Sequence, residues 1–264
     1  MPKISIEIPV TWGNHIREQM EAIRNQTYQD YEISVASSVS LKSAEDVLKE
    51  YGAKITHCGP NILEKRYFAH SQTKSEYSLL LDETRIPGPH LLSNLQNMDN
   101  DMVIISEKDV GDTFWIKMSN LDKINSVECN SFDAYRGYVL PRYIRSFLLT
   151  QALEEIKRNL DDITFRSVLM EDHQLIYYEA SKLSTSIALL NGKHLFHYGD
   201  ESLFSILKKY HVYGKGHKIL RNTHYEELLS PKKRVRKICT GNKLGLYIFY
   251  LARGLPFLIG YYLA

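Results

Sequence analysis

The feature that most limits what this chain can fold into is an alternation running through its first hundred residues. Apolar, β-branched runs at 4–10 ("ISIEIPV"), 31–38 ("YEISVASS"), 53–58 ("AKITHC") and 77–81 read as strands. Between them, 15–26, 43–52 and 62–73 read as helices; Ile16, Met20 and Ile23 recur at helical spacing, Ser43 is placed to cap the second helix and Gly52 to stop it. Repeated β-α units with right-handed crossovers predict a parallel sheet whose strand C-termini share one edge. In open α/β sheets that edge is where ligands bind.

The fourth strand ends in an unusual way. In "EYSLLLDETRIP" (76–87), an apolar run turns abruptly into Asp82, Glu83, Thr84 and Arg85 before Pro87 and Pro89 stop it ahead of a helix in 90–97. A cluster of charge at the C-terminal end of a buried strand marks a candidate site; a polar turn closing the strand is the plain alternative. Beyond residue 100, 101–107 and 113–118 read as strands, 119–137 as loop and short helix, 140–160 and 171–183 as helix, 185–191 and 193–198 as strands, and 202–214 as helix.

Composition is ordinary for a globular α/β protein, with 44% hydrophobic and 24% charged residues. The net charge of +2 conceals a division: residues 1–204 carry 21 basic against 29 acidic side chains, and residues 205–264 carry 12 against 2. The basic excess leads into 21 mostly apolar residues, 244–264. An acidic body with a basic, greasy tail excludes a nucleic-acid binder and suits an anionic membrane surface. Arg253, Pro256 and the flanking glycines disfavour a spanning helix; the tail is expected to lie in the interface, its tyrosines and Arg253 at headgroup level, with spanning and packing on the body as alternatives. Cys58, Cys129 and Cys239 show no paired spacing, so no disulfide is expected and a reducing, cytoplasmic setting fits.

Several phrases together resemble the family 2 glycosyltransferases of GT-A fold: a first strand ending in Pro9, the "NQTYQDYEI" phrase at 25–33, Arg66 sixteen residues before Asp82, the acidic pair Glu171 and Asp172 opening a helix, and a strand ending at His197 before "KKYHVYGKG". The resemblance spans about 4–216. It implies a GT-A, Rossmann-like α/β fold with a mostly parallel central sheet flanked by helices, a nucleotide-sugar half at about 1–110, an acceptor half at about 111–216, and a basic linker with a membrane-associated helical tail at 217–264. The implied activity is inverting transfer of a sugar from a nucleotide-sugar donor to a lipid-linked or polyprenyl-phosphate acceptor, at the cytoplasmic face of the membrane.

Residue by residue, the resemblance places the nucleotide against Pro9, Thr11, Ser37, Ser38, Arg66, Asp82 and Glu83. It places a divalent cation, Mg²⁺ or Mn²⁺, on Asp82 with Thr84 and His197, and the proton acceptor at Asp172 with Glu171 beside it. Two departures stand out. Ser37 and Ser38 occupy positions where the family carries two Asp, and Thr84 replaces the final Asp of the DxD motif. A non-catalytic, nucleotide-binding relative is therefore the rival reading. Each residue also has a structural alternative: Asp172 as a helix cap, Arg66 as a solvated helix residue, His197 as a satisfied structural histidine, Ser37 and Ser38 as strand ends. "PRYIR" (141–145) is either a helix start with exposed arginines or an approach to acceptor phosphate, and His173, His211 and His217 have no spacing that demands a role.

Overall fold

A computed structural model describes residues 3–38, 42–130, 132–136, 140–228 and 237–263. Three βα units come first: β1 (Ile4–Val10), α1 (Ile16–Arg24), β2 (Tyr31–Ser38), α2 (Lys42–Glu50), β3 (Lys54–Cys58) and α3 (Ile62–Ser71). They are followed by β4 (Tyr77–Leu80), β5 (Arg85–Pro87), α4 (Leu91–Leu95), β6 (Met102–Asp109), α5 (Phe114–Glu128), a 3-10 turn at Ala134–Arg136, β7 (Pro141–Arg145) and α6 (Ser146–Asn159). The chain closes with α7 (Asp162–Ser167), α8 (Asp172–Leu183), β8 (Ile187–His197), α9 (Leu203–Ile219) and α10 (Lys243–Leu263). The strands form one sheet in the order β3-β2-β1-β4-β7-β6-β8-β5. It is parallel from β3 to β4 and mixed beyond, because β7 runs antiparallel to both β4 and β6.

β1 is buried along its whole length, and its period of two divides the protein into layers. Ile4, Ile6, Ile8 and Val10 join Met20, Ile23, Leu48, Leu79 and Leu91 in the core under α1, α2 and α4. On the other face lie Ser5 and Glu7, toward α3, while Leu63 and Leu80 join α6 and α8 residues in a second core. Glu7 is fully buried and meets His70 of α3, Oε1 to Nδ1 at 2.9 Å; His70 Nε2 lies 2.8 Å from Thr150 Oγ1. The Thr150 hydroxyl donates to Ser146 O at 2.9 Å, so Nε2 must donate to it and the ring carries both protons. Burial pulls the His70 pKa down, but the Glu7 carboxylate more than offsets it and the net direction is upward.

Four segments differ from the sequence expectation. Residues 113–118 are the start of α5 instead of a strand: Thr113 caps the helix by accepting from Ile116 N, and Ile116 and Met118 are buried among helices. "PRYIR" is β7 and no helix; Pro141 takes the first strand position, where a missing N–H is tolerated, and Tyr143 stacks on Tyr77 of β4 at 4.5 Å between ring centres. The two short strands after 185 are one strand, β8, whose register on β6 shifts where Gly192 adopts a φ of +123°. Helix α2 begins at Lys42, so Ser43 lies inside its first turn.

The tail is docked. α9 and α10 run side by side in the same direction, Tyr210 beside Arg253 and Gly214 against the turn of Phe257 to Tyr261. A Cβ on Gly214 or Gly260 would collide with the facing helix backbone, at Phe257 O and His211 O respectively. Arg253, expected at headgroup level, instead turns inward to Asp122 of α5 (2.9 Å) and to the Tyr210 hydroxyl, because burying a guanidinium demands a carboxylate. The segment leading into α10 is held by Asn125, which accepts from Cys239 N and Thr240 N, and by Asn130, which pairs with Lys237. There Cys129 and Cys239 form a disulfide across a Cα separation of 6.2 Å, which corrects the expectation of unpaired cysteines. The tertiary fold brought together two cysteines 110 residues apart. The basic cluster at 231–236 lies outside the described residues.

Two outcomes follow for stability. Gly260→Val should push the two helices apart and destabilise the fold by about 1–3 kcal/mol; an unchanged thermal midpoint would contradict the backbone contact. Since the folded-state pKa of His70 is raised, its contribution is full below the unfolded value of about 6.5 and is lost as pH rises through the folded value. His70→Gln should therefore cost most stability in acid and progressively less in alkali, measured by denaturant unfolding across pH.

Candidate active site

β4 ends opposite Glu7 of β1, which runs on to Val10, and Asp82 emerges one residue past the Leu81–Glu7 backbone hydrogen bond that closes their pairing. Beneath it lies Arg66, 1% exposed. Helix α3 carries Leu63, Arg66 and His70 on one face, three and seven residues apart, so the guanidinium is directed inward with the apolar stripe. All five of its N–H groups are used: Nε to Asp172 Oδ2 (2.8 Å), Nη1 to Glu7 O (3.2 Å) and Leu81 O (2.8 Å), Nη2 to Asp82 Oδ1 and to His173 Nε2 (2.9 Å). One side chain thus joins β1, β4 and the N-terminus of α8.

Two further guanidiniums reach Asp82. Arg85 of β5 contacts Oδ2, and Arg142 of β7 approaches the same oxygen at 3.5 Å while bonding Leu80 O (3.2 Å) and His173 Nε2 (3.0 Å). Both arginines also hang on Glu107 of β6, which accepts from Lys123 as well. Burial drives the Asp82 pKa up, but Arg85, Arg66 and Arg142 together hold the carboxyl well below the usual range. Glu107 is lowered in the same way, against its burial, by Arg142, Arg85 and Lys123. Burial lowers His173, which stays neutral and accepts through Nε2. Its Nδ1 is then a buried donor without an acceptor among the described residues.

Asp82, Asp172 and His173 offer ligand atoms within 4.8 Å of one another, close enough to hold one metal ion. Two carboxylates and an imidazole suit a divalent cation. Charge points the same way: Arg66, Arg85, Arg142 and Lys123 are matched one for one by Asp82, Asp172, Glu107 and Asp109, leaving no surplus to offset an arriving diphosphate. Each candidate ligand already accepts from a guanidinium, so coordination would mean exchanging those contacts for the ion.

The other expected site residues are dispersed around this cluster. Glu83 is filled into the turn after β1, accepting from Thr11 N (3.0 Å), Trp12 N (3.0 Å) and Gly13 N (2.8 Å). Lys65, fully buried, bonds Val10 O and Thr11 Oγ1 beside it. Pro9 lies within buried β1; Ser37 donates to Ser38 O, and Ser38 Oγ is buried without a partner among the described residues. Thr84 offers its carbonyl to Tyr198 N. His197, paired with Arg85 across β5 and β8, sits on Asp109, and burial together with Arg85 lowers its pKa to about 4; the ion-binding group has His173 in the place expected for His197. Glu171 turns to His217 of α9 at 2.5 Å, away from the Asp172–Arg66 pair. A cavity of about 410 Å³ lies elsewhere, by the N-terminal end of β4, lined by His70, Ser146 and Thr150.

Sequence reasoning missed Arg142, Glu107, Lys123 and His173. A strand reading of 141–145 would have put Arg142 on the face of buried Ile144, and the residue following Asp172 on the first turn of a helix was the one local signal for His173.

No protein-family model matches the sequence, and no curated protein matches it. Solved structures do. The crystal structure of S. aureus TarS 1–349 aligns with a TM-score of 0.57 at 15% identity, covering 96% of this chain and 72% of that one. The complex of TarS 1–349 with UDP-GlcNAc gives 0.57 at 15% identity, with 95% and 73% coverage. Against the longer S. aureus TarS structure the TM-score is 0.55 at 14% identity, and this chain, 98% covered, spans 54% of that one. At such identities the likeness is one of fold: the chain has the mixed α/β, GT-A-like fold of the glycosyltransferase TarS.

Proposed function

We propose that this chain is an inverting glycosyltransferase of family 2 type, moving a sugar from a nucleotide-sugar donor to a membrane-borne acceptor, lipid-linked or polyprenyl phosphate. The observation that carries the reading is the convergence of Asp82, Asp172 and three arginines at the strand-end edge of a GT-A-like sheet. TarS has been crystallised with UDP and with UDP-GlcNAc, which makes a uridine diphosphate sugar the first donor to try.

In this mechanism the hydroxyl of a lipid-linked glycan attacks the anomeric carbon as the bond to the diphosphate breaks on the opposite face; a polyprenyl phosphate would attack through an oxygen already ionised and would need no base. Asp172 takes the hydroxyl proton: Arg66 holds its Oδ2, and its Oδ1 accepts no hydrogen bond from the described residues. Pro9, Thr11, Ser37 and Ser38 form the nucleoside wall, where hydroxyls can serve a base edge without adding charge. Glu83 fixes that wall by clamping the turn at Thr11 to Gly13. Magnesium or manganese, held by Asp82 with His173 while Asp172 stays on Arg66 as the base, would supply Lewis-acid charge to the departing diphosphate. Thr84 and His197 are the companions of Asp82 expected in this role; His197 is engaged by Asp109, and His173 takes its place in the proposed site.

Residues 1–216 are proposed as the catalytic unit and 217–264 as its membrane-facing extension at the cytoplasmic leaflet. Helix α10 is long and apolar enough to cross a membrane, yet its inner face is docked on α5 and α9. Its outer face exposes Leu244, Tyr247, Ile248, Leu251, Leu255 and Leu258, the pattern of a helix lying in the interface. The rival reading, a binding subunit without catalysis, is favoured by one observation: both oxygens of Asp82 are capped by guanidiniums.

A panel of nucleotide sugars, read by thermal shift and by release of nucleoside diphosphate, separates the two. The productive donor should stabilise the protein more with Mn²⁺ or Mg²⁺ than with EDTA, and Asp172→Asn should keep that stabilisation while losing about two to four orders of magnitude in transfer to a sugar hydroxyl and little in transfer to polyprenyl phosphate. Stabilisation without turnover by the unmodified chain would establish the binding-subunit reading. The paired change Leu251→Glu and Leu255→Glu should abolish co-sedimentation with vesicles containing phosphatidylglycerol; undiminished binding would refute the α10 interface.

A further inference from the structure

The arginine that the family resemblance assigns to the nucleotide has nothing left to give it. Arg66 spends every N–H on the protein, two of them on backbone carbonyls that are themselves buried. Arg85 and Arg142 are built differently. They come from separate strands, β5 and β7, yet both direct Nε at the same oxygen, Oε1 of Glu107, and both direct Nη1 at the same oxygen of Asp82. The Nη2 group of each has no acceptor among the described residues, and neither group is sealed in the interior. Their side chains keep 15% and 10% of their exposure where Arg66 keeps 1%.

We propose that Arg85 and Arg142, aligned by Glu107, are the pair that receives the diphosphate of the donor, and that Arg66 is a positioning residue. Resting on the donor reading above, this assigns the phosphate contacts within it. Two guanidiniums that share both of their carboxylate anchors are forced close to each other. Like-charge crowding of this kind is relieved when an anion arrives between the two, and the Nη2 group of each arginine can give a phosphate oxygen a charge-assisted hydrogen bond. Glu107 has the separate task of holding the planes: it accepts from both Nε atoms and from Lys123, and with Nη1 of each arginine on Asp82 it is Nη2 that remains to donate. A nucleoside lacking phosphate makes none of these contacts, so the fork discriminates by phosphate and is indifferent to the base.

The test uses the full chain with Mg²⁺ and isothermal titration of UDP, GDP, ADP and CDP, each beside its nucleoside. The diphosphate that binds should lose at least tenfold in affinity in Arg85→Gln and in Arg142→Gln, while its nucleoside binds each variant as it binds the unmodified chain. Arg85→Lys should recover part of the loss, since it keeps charge without the planar edge. A folded Arg85→Gln protein whose diphosphate affinity is unchanged overturns the fork and leaves the donor reading standing. If no diphosphate binds the unmodified chain, both fall. Should Arg142→Gln not fold, competition on the unmodified chain decides: inorganic pyrophosphate should displace the bound nucleoside diphosphate, and failure to displace it overturns the proposal.

Discussion

Arg66 is the interaction on which the rest of the site depends. A guanidinium taken out of water requires all of its donors satisfied and its charge opposed, and only a specific surrounding can do both. Here the surrounding consists of two strand carbonyls, two carboxylates and one imidazole from three separate parts of the chain. None of β1, β4 or α8 can shift without leaving a buried N–H unmet. The relative placement of Asp82 and Asp172, some ninety residues apart in sequence, is therefore fixed by the same bonds that satisfy this one side chain.

The network around it resembles an interior more than a surface, although it opens to solvent. Glu107 and Asp82 each oppose more than one cation, and the carboxylates and cations balance. Balance of this kind keeps every member ionised in a place where an isolated charge would titrate away. It also means that removing one member leaves a partner buried and unpaired, a loss larger than the net worth of the pair.

The first half of the fold was legible because β1 and β4 are buried throughout and α1 and α2 are short and amphipathic: β1 to β4 and α1 to α3 lie close to where the periodicity puts them. The position of Asp82 at a strand end was equally readable. The misreadings have physical causes. Residues 113–118 are aromatic and β-branched, yet Thr113 caps them into a helix; "PRYIR" carries two arginines, yet lies in the interior of the sheet, where Glu107 and Asp101 answer the charges. Pairings such as Glu107 with Arg142, His173 with Arg66 or Cys129 with Cys239 join distant segments and leave no local trace. The inward turn of Arg253 is of the same class: a charge within an apolar helix suggests water, and the answer was an aspartate 131 residues earlier.

Glu83 leads to a different kind of consequence. Consecutive backbone N–H groups at the end of a first strand are the usual nest for a phosphate, and here a carboxylate from the same chain already occupies them. Any phosphate arriving at this edge finds the main chain spoken for and must be met by side chains. Anion recognition in this protein is thus open to revision by single codon changes, where a peptide cradle would have been proof against them.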